Sequence, residues 1–320
     1  MQPDLVTGGR FPASPFCPPA ASDNSIAAGS RTGHDAAMPR RPARLAATLA
    51  AVEPAVIASV TAIAATLQAA QLRLRPAQIR RKAVGDFVTA VDLRAERRLR
   101  QTLERLLPDA GFLGEETAPA ELDREWLWVV DPIDGTSNFA RGLPHFAVAV
   151  ALLYRSDPVL AVVHCFPDQA CLVARRGAGT RRRRGGGTSF RPVRPPNGRL
   201  DDGAMLGAQW HRGQQQMAFL AALQRRGGRI RTLGSSVTQL VDVALGRLDA
   251  NVQQQGRIWD LAAAGLLVEE AGARFTDWNG KPVLPFRDLA VEHSPSIAAA
   301  ANIHRAVCRL LDGHSPLLLP

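Results

Sequence analysis

Apolar residues recur at Val56, Val60, Ile63 and Leu67, spacings of three or four that predict an amphipathic helix at the start of the folded chain. Pro54 suits the first turn of that helix. The surrounding stretch from Leu45 to Leu74 has a single acid, Glu53, and, near its end, a single base, Arg73, and follows two arginines, as a signal peptide or membrane anchor would. Its apolar content is mostly alanine and is broken by Glu53-Pro54, which favours a helix of the core over a segment in lipid. A second helix is headed by Asp92 as a capping residue, carries Leu99, Leu103 and Leu106 at i, i+4 and i+7, and stops at Pro108. Short apolar runs bounded by Gly, Pro or Asp then predict strands at Trp126–Val130, Phe146–Tyr154, Val159–Cys165 and Ala170–Ala174.

Two segments interrupt these patterns. Residues 1–40 are rich in Pro, Gly, Ser and Ala without periodicity and read as a disordered extension, with Met38 as an alternative start of the chain. Residues 177–203, GAGTRRRRGGGTSFRPVRPPNGRLDDG, read as a long exposed connection between two subdomains. The expected division is an N-terminal α+β subdomain over 41–180, a basic Gly/Pro-rich connection over 181–203 and a C-terminal α/β subdomain over 204–320. In the last, helices are expected near 214–226, 236–246, 260–271 and 302–311, and strands near 229–233, 248–252, 273–276 and 296–301.

The length of 320 residues, with 46% hydrophobic and 21% charged, excludes a disordered or fibrous chain and allows a sizeable core. Only Lys82 and Lys281 among the 39 Lys and Arg residues are lysine, and the net charge of +10 favours anionic partners. Four scattered cysteines, Cys17, Cys165, Cys171 and Cys308, form neither a paired metal motif nor a disulfide framework, and fit a cytoplasmic setting.

The chemistry concentrates in GEE at 114–116 and WLWVVDPIDGTSNF at 126–139. An apolar strand ends in Asp131, a turn containing Pro132 and Gly135 delivers Asp134, and Glu115 and Glu116 leave another short apolar run. Carboxylates gathered at strand ends stay ionised only if a cation neutralises them, and oxygen ligands without His or Cys point to Mg²⁺ or Mn²⁺. Gly135-Thr136-Ser137 then opens a helix whose free N–H groups suit a phosphate. A second segment, Trp259-Asp260 followed by LAAAGLLVEEAG, puts another acid at a helix start, where it is either a cap or a further ligand.

DPIDGTSNF and WDLAAAGLLVEEAG resemble the two signatures of the inositol monophosphatase family. Lys82 with DFVTAVD at 86–92, GEE at 114–116 and LGSS at 233–236 fall in the family's order, over about residues 45–312. The resemblance implies an α/β fold, the layered α-β-α-β-α sandwich of the inositol monophosphatase and fructose-1,6-bisphosphatase type. It implies a phosphoric monoester hydrolase, an inositol-1-monophosphatase in the first place, using Mg²⁺ in two or three copies with Mn²⁺ as the alternative. The implied metal ligands are Glu115, Asp131, Asp134, Asp260 and the carbonyl of Ile133. Glu115 and Thr136 are the implied pair that activates the attacking water for in-line displacement, with Asp92 orienting the Thr136 hydroxyl. Gly135 and Thr136 would hold phosphate oxygens, Glu116 and Asp86 would orient ligands or contribute to a weak third metal site or else be surface or loop-capping carboxylates, and Lys82 would attract phosphate at long range or else be an exposed lysine.

On the alcohol side, Asp134, Ser236, Gln253 and Asp260 are expected around the substrate. Counting back seven residues from Asp260 reaches Gln253, where inositol-hydrolysing relatives usually carry glutamate, so a different leaving group reached by Gln254, Gln255 or Arg257 is open. The competing substrates are fructose 1,6-bisphosphate, histidinol phosphate and 3′-phosphoadenosine 5′-phosphate. His145 is expected to pack a turn and not to act as a base. A small phosphorylated metabolite is the expected partner, in a homodimer with no membrane association. The alternative class is an RNA or transcription-complex binding role through Arg181–Arg184, Arg191, Arg194 and Arg199.

Overall fold

A computed structural model describes residues 41–73, 79–83, 86–209, 220–221, 224–225, 228–289 and 294–312. The extension read over 1–40, most of the helix read near 214–226, and the side chains of Lys82 and Asp86 lie outside what it describes.

Helix α1, Arg41–Gln71, begins well before the expected first turn and carries Pro54 in its interior. Leu49 and Val52 continue the buried stripe of Val56, Val60, Ile63 and Leu67 towards the N-terminus, and that burial outweighs the hydrogen bond the proline lacks. By length and composition Arg44–Gln71 is apolar enough to cross a membrane, yet this stripe is packed into the protein core. The hairpin β1, Ile79–Ala83, with β2, Asp86–Thr89, leads into α2, Ala90–Leu106. Asp92 is therefore not the cap of α2. It lies in the first turn and is fully buried.

The main sheet has seven strands in chain order: β3 Gly111–Gly114, β4 Trp126–Asp134, β5 Ala147–Tyr154, β6 Asp157–Cys165, β7 Ala170–Arg175, β8 Gly179–Arg183 and β9 Arg191–Pro192. Only β3 and β4 are parallel. Alternation sorts its side chains: Trp128, Val130, Val148, Val150, Leu160 and Val162 meet α1 and α2, while Leu127, Val129, Ala149, Ala151, Ala161 and Val163 face the opposite core. The alanine-rich face lets α5, Ile258–Glu270, lie across the sheet, and that helix is buried all round from Leu261 to Val268.

A second sheet of five strands lies beyond α5 and α4, Ser236–Ala244, in the order β11-β10-β12-β14-β13. Its strands are β10 Met205–Gln209, β11 Arg229–Arg231, β12 Ala250–Gly256, β13 Arg274–Thr276 and β14 Ser294–Ala299. Its outer face packs Leu206, Val252 and Ile297 against Val307 and Leu311 of α6, His304–Asp312. Helix pair, sheet, helix pair, sheet and helix make the α-β-α-β-α sandwich.

Two further sequence expectations change. The strand ending at Asp131 continues to Asp134 through a bulge. The arginine run is not wholly an exposed connection, because Gly179–Arg183 is strand β8, paired along β7. Within it Arg181 reaches inward to the buried Glu53, which Arg175 also contacts, and Arg183 lies over Phe190. Charged side chains with inward partners carry no apolar periodicity, which is why this strand reads as a loop.

Candidate metal centre

The site forms where the parallel pair β3 and β4 ends. Gly114 of β3 is paired with Val130 of β4, so Glu115 and Asp131 leave adjacent strands at the same level. In a regular strand Asp131 and Asp134, an odd number of residues apart, would project to opposite faces. The bulge inserts one residue between them relative to β5, where Asp131 faces Ala149 and Asp134 faces Ala147, and restores them to one face. Pro132 is tolerated there because the bulge interrupts the ladder. The Ile133 N–H donates to Asp131 Oδ1 at 2.9 Å and holds the bulge. Gly135 follows at φ +89°, where a β-carbon would come within 2.9 Å of the His145 carbonyl oxygen, so glycine is required.

Asp260 arrives from the first turn of α5, where its carboxylate accepts the Arg257 N–H at 3.0 Å. The expected choice between cap and ligand thus dissolves: the same carboxylate caps the helix and, with Asp131 and Asp134, offers an oxygen within 4.8 Å of the others. Asp134 also serves the N-terminus of α4, accepting the Ser236 N–H at 3.0 Å, the Val237 N–H at 2.9 Å and the Ser235 hydroxyl. These bonds tie the two halves of the site together.

Burial first, then Glu115, Asp134 and Asp260, drive the Asp131 carboxyl well above the usual carboxylate range. Burial and Asp260 push Asp134 up to about 7, against the opposing hydrogen bonds from Ser235, Val237 and Ser236. Burial raises Asp260 to about 6. An all-carboxylate set that cannot comfortably ionise by itself has the charge and donor chemistry for hard divalent cations. The residues present fit such an ion.

Thr136 Oγ1 stands 2.9 Å from the Ile133 carbonyl and 3.2 Å from Asp92 Oδ1, bringing three expected site residues together. Asn138 donates to the carbonyls of His145 and Leu233 at 2.6 and 2.7 Å, so His145 packs a turn through its backbone. Ser236 is buried, its hydroxyl donating to Gln209 at 3.1 Å.

Gln253 is fully buried inside β12, its side chain accepting from Asn251 and its carbonyl accepting from Trp278, while its amide nitrogen has no hydrogen-bond partner among the described residues. Gln254 and Gln255, beside the irregularity at the end of β12, are half-buried, and Arg257 is exposed over Trp259.

Sequence reading missed Glu96, Ser235, Gln209 and Asn138. Glu96 had a visible signal: with Asp92 it puts two acids four residues apart in the same stripe as Leu99 and Leu103, on the buried side of α2. Ser235 lay inside the LGSS segment without a role of its own, and Gln209 had no signal, since their importance comes from Asp134 and Ser236 approaching across the fold.

Comparison with known proteins agrees with this geometry. The sequence profile of the inositol monophosphatase family matches residues 49–314. The chain is 32% identical over 244 residues to the Nus factor SuhB of Xylella fastidiosa, covering 75% of this chain and 86% of that protein. It is 36% identical over 217 residues to the inositol-1-monophosphatase of Rhizobium meliloti, covering 64% and 78%. The crystal structure of extragenic suppressor protein suhB from Bartonella henselae superimposes with a TM-score of 0.72 at 28% identity, covering 82% of this chain and 98% of that one.

Proposed function

Because this chain belongs to the inositol monophosphatase family and is a phosphoric monoester hydrolase, we propose that it is a Mg²⁺-dependent inositol-1-monophosphatase, converting myo-inositol phosphate and water to myo-inositol and phosphate. The carrying observation is the convergence of Asp131, Asp134 and Asp260 beside Glu115. Glu115, Asp131, Asp134, Asp260 and the Ile133 carbonyl would hold the metal. When bound, divalent ions in such a site supply Lewis-acid activation of water and neutralise charge at phosphorus.

The protein's own groups do the rest. The Thr136 hydroxyl has two acceptors within reach and a single proton to give, so its lone pairs are left to accept a hydrogen bond from the attacking water. Asp92, fully buried, holds that hydroxyl by accepting from it. Glu115 takes the proton the water releases. Gly135 and Thr136 lie at the start of α3, Thr136–Ala140, where N–H groups lack intrahelical partners and suit phosphate oxygens. Arg257, whose N–H is held by Asp260, and the half-buried Gln254 and Gln255 before it are the candidates to meet the leaving group. A cytoplasmic homodimer belongs to the same reading.

Phosphate release from inositol 1-phosphate, fructose 1,6-bisphosphate, histidinol phosphate and 3′-phosphoadenosine 5′-phosphate, with Mg²⁺ and with chelator, tests it. Turnover fastest on inositol 1-phosphate, dependent on Mg²⁺ and lost in Asp131→Asn, is expected. Preference for another ester would reassign the substrate. An RNA or transcription-complex role draws on the relatives named Nus factor SuhB. It is ranked second because Arg181 and Arg183 are engaged within this protein.

A further inference from the structure

At the far edge of the main sheet, a cavity of about 800 Å³ opens between the end of β8, β9 and the chain that follows. Four arginines, Arg182, Arg184, Arg191 and Arg194, are among the residues that line it, with Thr188 and Ser189 and the apolar Val193 and Leu245. No carboxylate and no aromatic ring lines it among the described residues. From β4 to β8 is four strands, about 19 Å at about 4.8 Å per strand, so this cavity is separate from the carboxylate cluster.

Its charge is not neutralised from within. Arg184, Arg191 and Arg194 are exposed and form no ion pair among the described residues. The acid nearest Arg182 is Asp168, 4.0 Å away, and that carboxylate is shared with Arg247, which lies closer to it. Burial and the like charges of Arg184 and Arg247 accordingly weaken the hold of Arg182 on its proton. Like charges gathered around a concave surface repel one another until an anion enters.

We propose that this cavity is a binding site for a small anion carrying a chain of two or more phosphate groups, distinct from the catalytic centre. Guanidinium forks pair with phosphate oxygens two at a time, and several forks around one cavity match several linked phosphates better than one. The volume lies within the range of small-molecule sites. Single-stranded RNA is disfavoured because it gains much of its affinity by stacking bases on aromatic rings, and Phe190, the nearest ring in sequence, lies beneath Arg181 and Arg183 instead. A nucleoside triphosphate and inorganic polyphosphate offer the same recognised chemistry.

Calorimetric titration of the full chain with inorganic tripolyphosphate at low salt, with chelator present to keep metal from the catalytic centre, tests the proposal. The expected result is one site per chain, weakened at least tenfold in the triple variant Arg184→Ala, Arg191→Ala, Arg194→Ala. That variant should keep its melting temperature and its metal-dependent phosphate release, because all three side chains are exposed and remote from the carboxylates. Adenosine triphosphate should bind within threefold of tripolyphosphate, there being no ring to stack on, and orthophosphate at least tenfold more weakly. The proposal is overturned by no binding at millimolar tripolyphosphate, by equal binding to the triple variant, by orthophosphate binding as tightly, or by a 20-nucleotide RNA binding these arginines tenfold more tightly. Because the readout is binding without metal, failure here leaves the phosphatase reading untouched.

Discussion

The backbone N–H of Glu116 donates to Oε2 of Glu96 at 2.8 Å, joining the loop that carries Glu115 to a carboxylate buried in α2. Gly114 makes room for this contact, since a β-carbon there would lie 2.5 Å from the Glu96 carboxyl carbon. Through this bond Glu96 holds the loop that carries Glu115, and a positioning role for it is the prediction. Glu96→Ala should remove the acceptor from a half-buried N–H, at a cost of about 1 kcal/mol. Its expected signature is a severalfold rise in the Mg²⁺ concentration giving half-maximal activity, with substantial rescue in Glu96→Gln, whose amide oxygen can still accept. An Ala variant with unchanged Mg²⁺ dependence would remove the positioning role.

Asp131 sits among carboxylates that repel it. Asp131→Asn relieves that repulsion while removing a ligand, so stability and activity should move in opposite directions. The chelated variant should melt at or above the wild-type temperature, gain little from Mg²⁺, and lose activity by more than about 100-fold, or about 2.7 kcal/mol of barrier. Parallel thermal melts and phosphate-release assays decide the matter.

With Asp134 near 7 and Asp260 near 6 instead of the ordinary 3.8, the metal-free native state keeps protons that the unfolded chain has released. Stability from these groups is therefore complete at low pH and is lost as pH rises from about 4 through about 7. A divalent ion takes the place of those protons. The rise in melting temperature on adding Mg²⁺ should accordingly be larger at pH 7.5 than at pH 5, and a rise independent of pH would contradict this origin.

Glu53 of α1 is buried and paired with Arg175 and with Arg181, the latter at 2.8 Å. Both arginines are partly exposed, which limits the loss when the acid is removed. Glu53→Ala should cost about 1–3 kcal/mol by urea unfolding and leave kcat/KM unchanged. A comparable loss of activity would mean that α1 communicates with the metal centre.

What the sequence determined by itself was local: the helical stripes of α1 and α2, the apolar strands β4 to β7, and the acids of GEE, DPIDGT and WD. Short-range periodicity and residue chemistry carry that information, and family resemblance ordered the acids into one site. Tertiary structure alone decided which faces those acids occupy. The parity of Asp131 and Asp134 depends on a bulge that exists only relative to β5. The burial of Gln253 depends on the register of β12 against β14. The first turn of α2 matters because Thr136 folds back onto Asp92, 44 residues away in sequence. The arginine run divides into inward pairs and an outward cluster only when β8 docks along β7 and beside α1. Register and long-range approach are properties of pairs of segments, and no single segment of this chain encodes them.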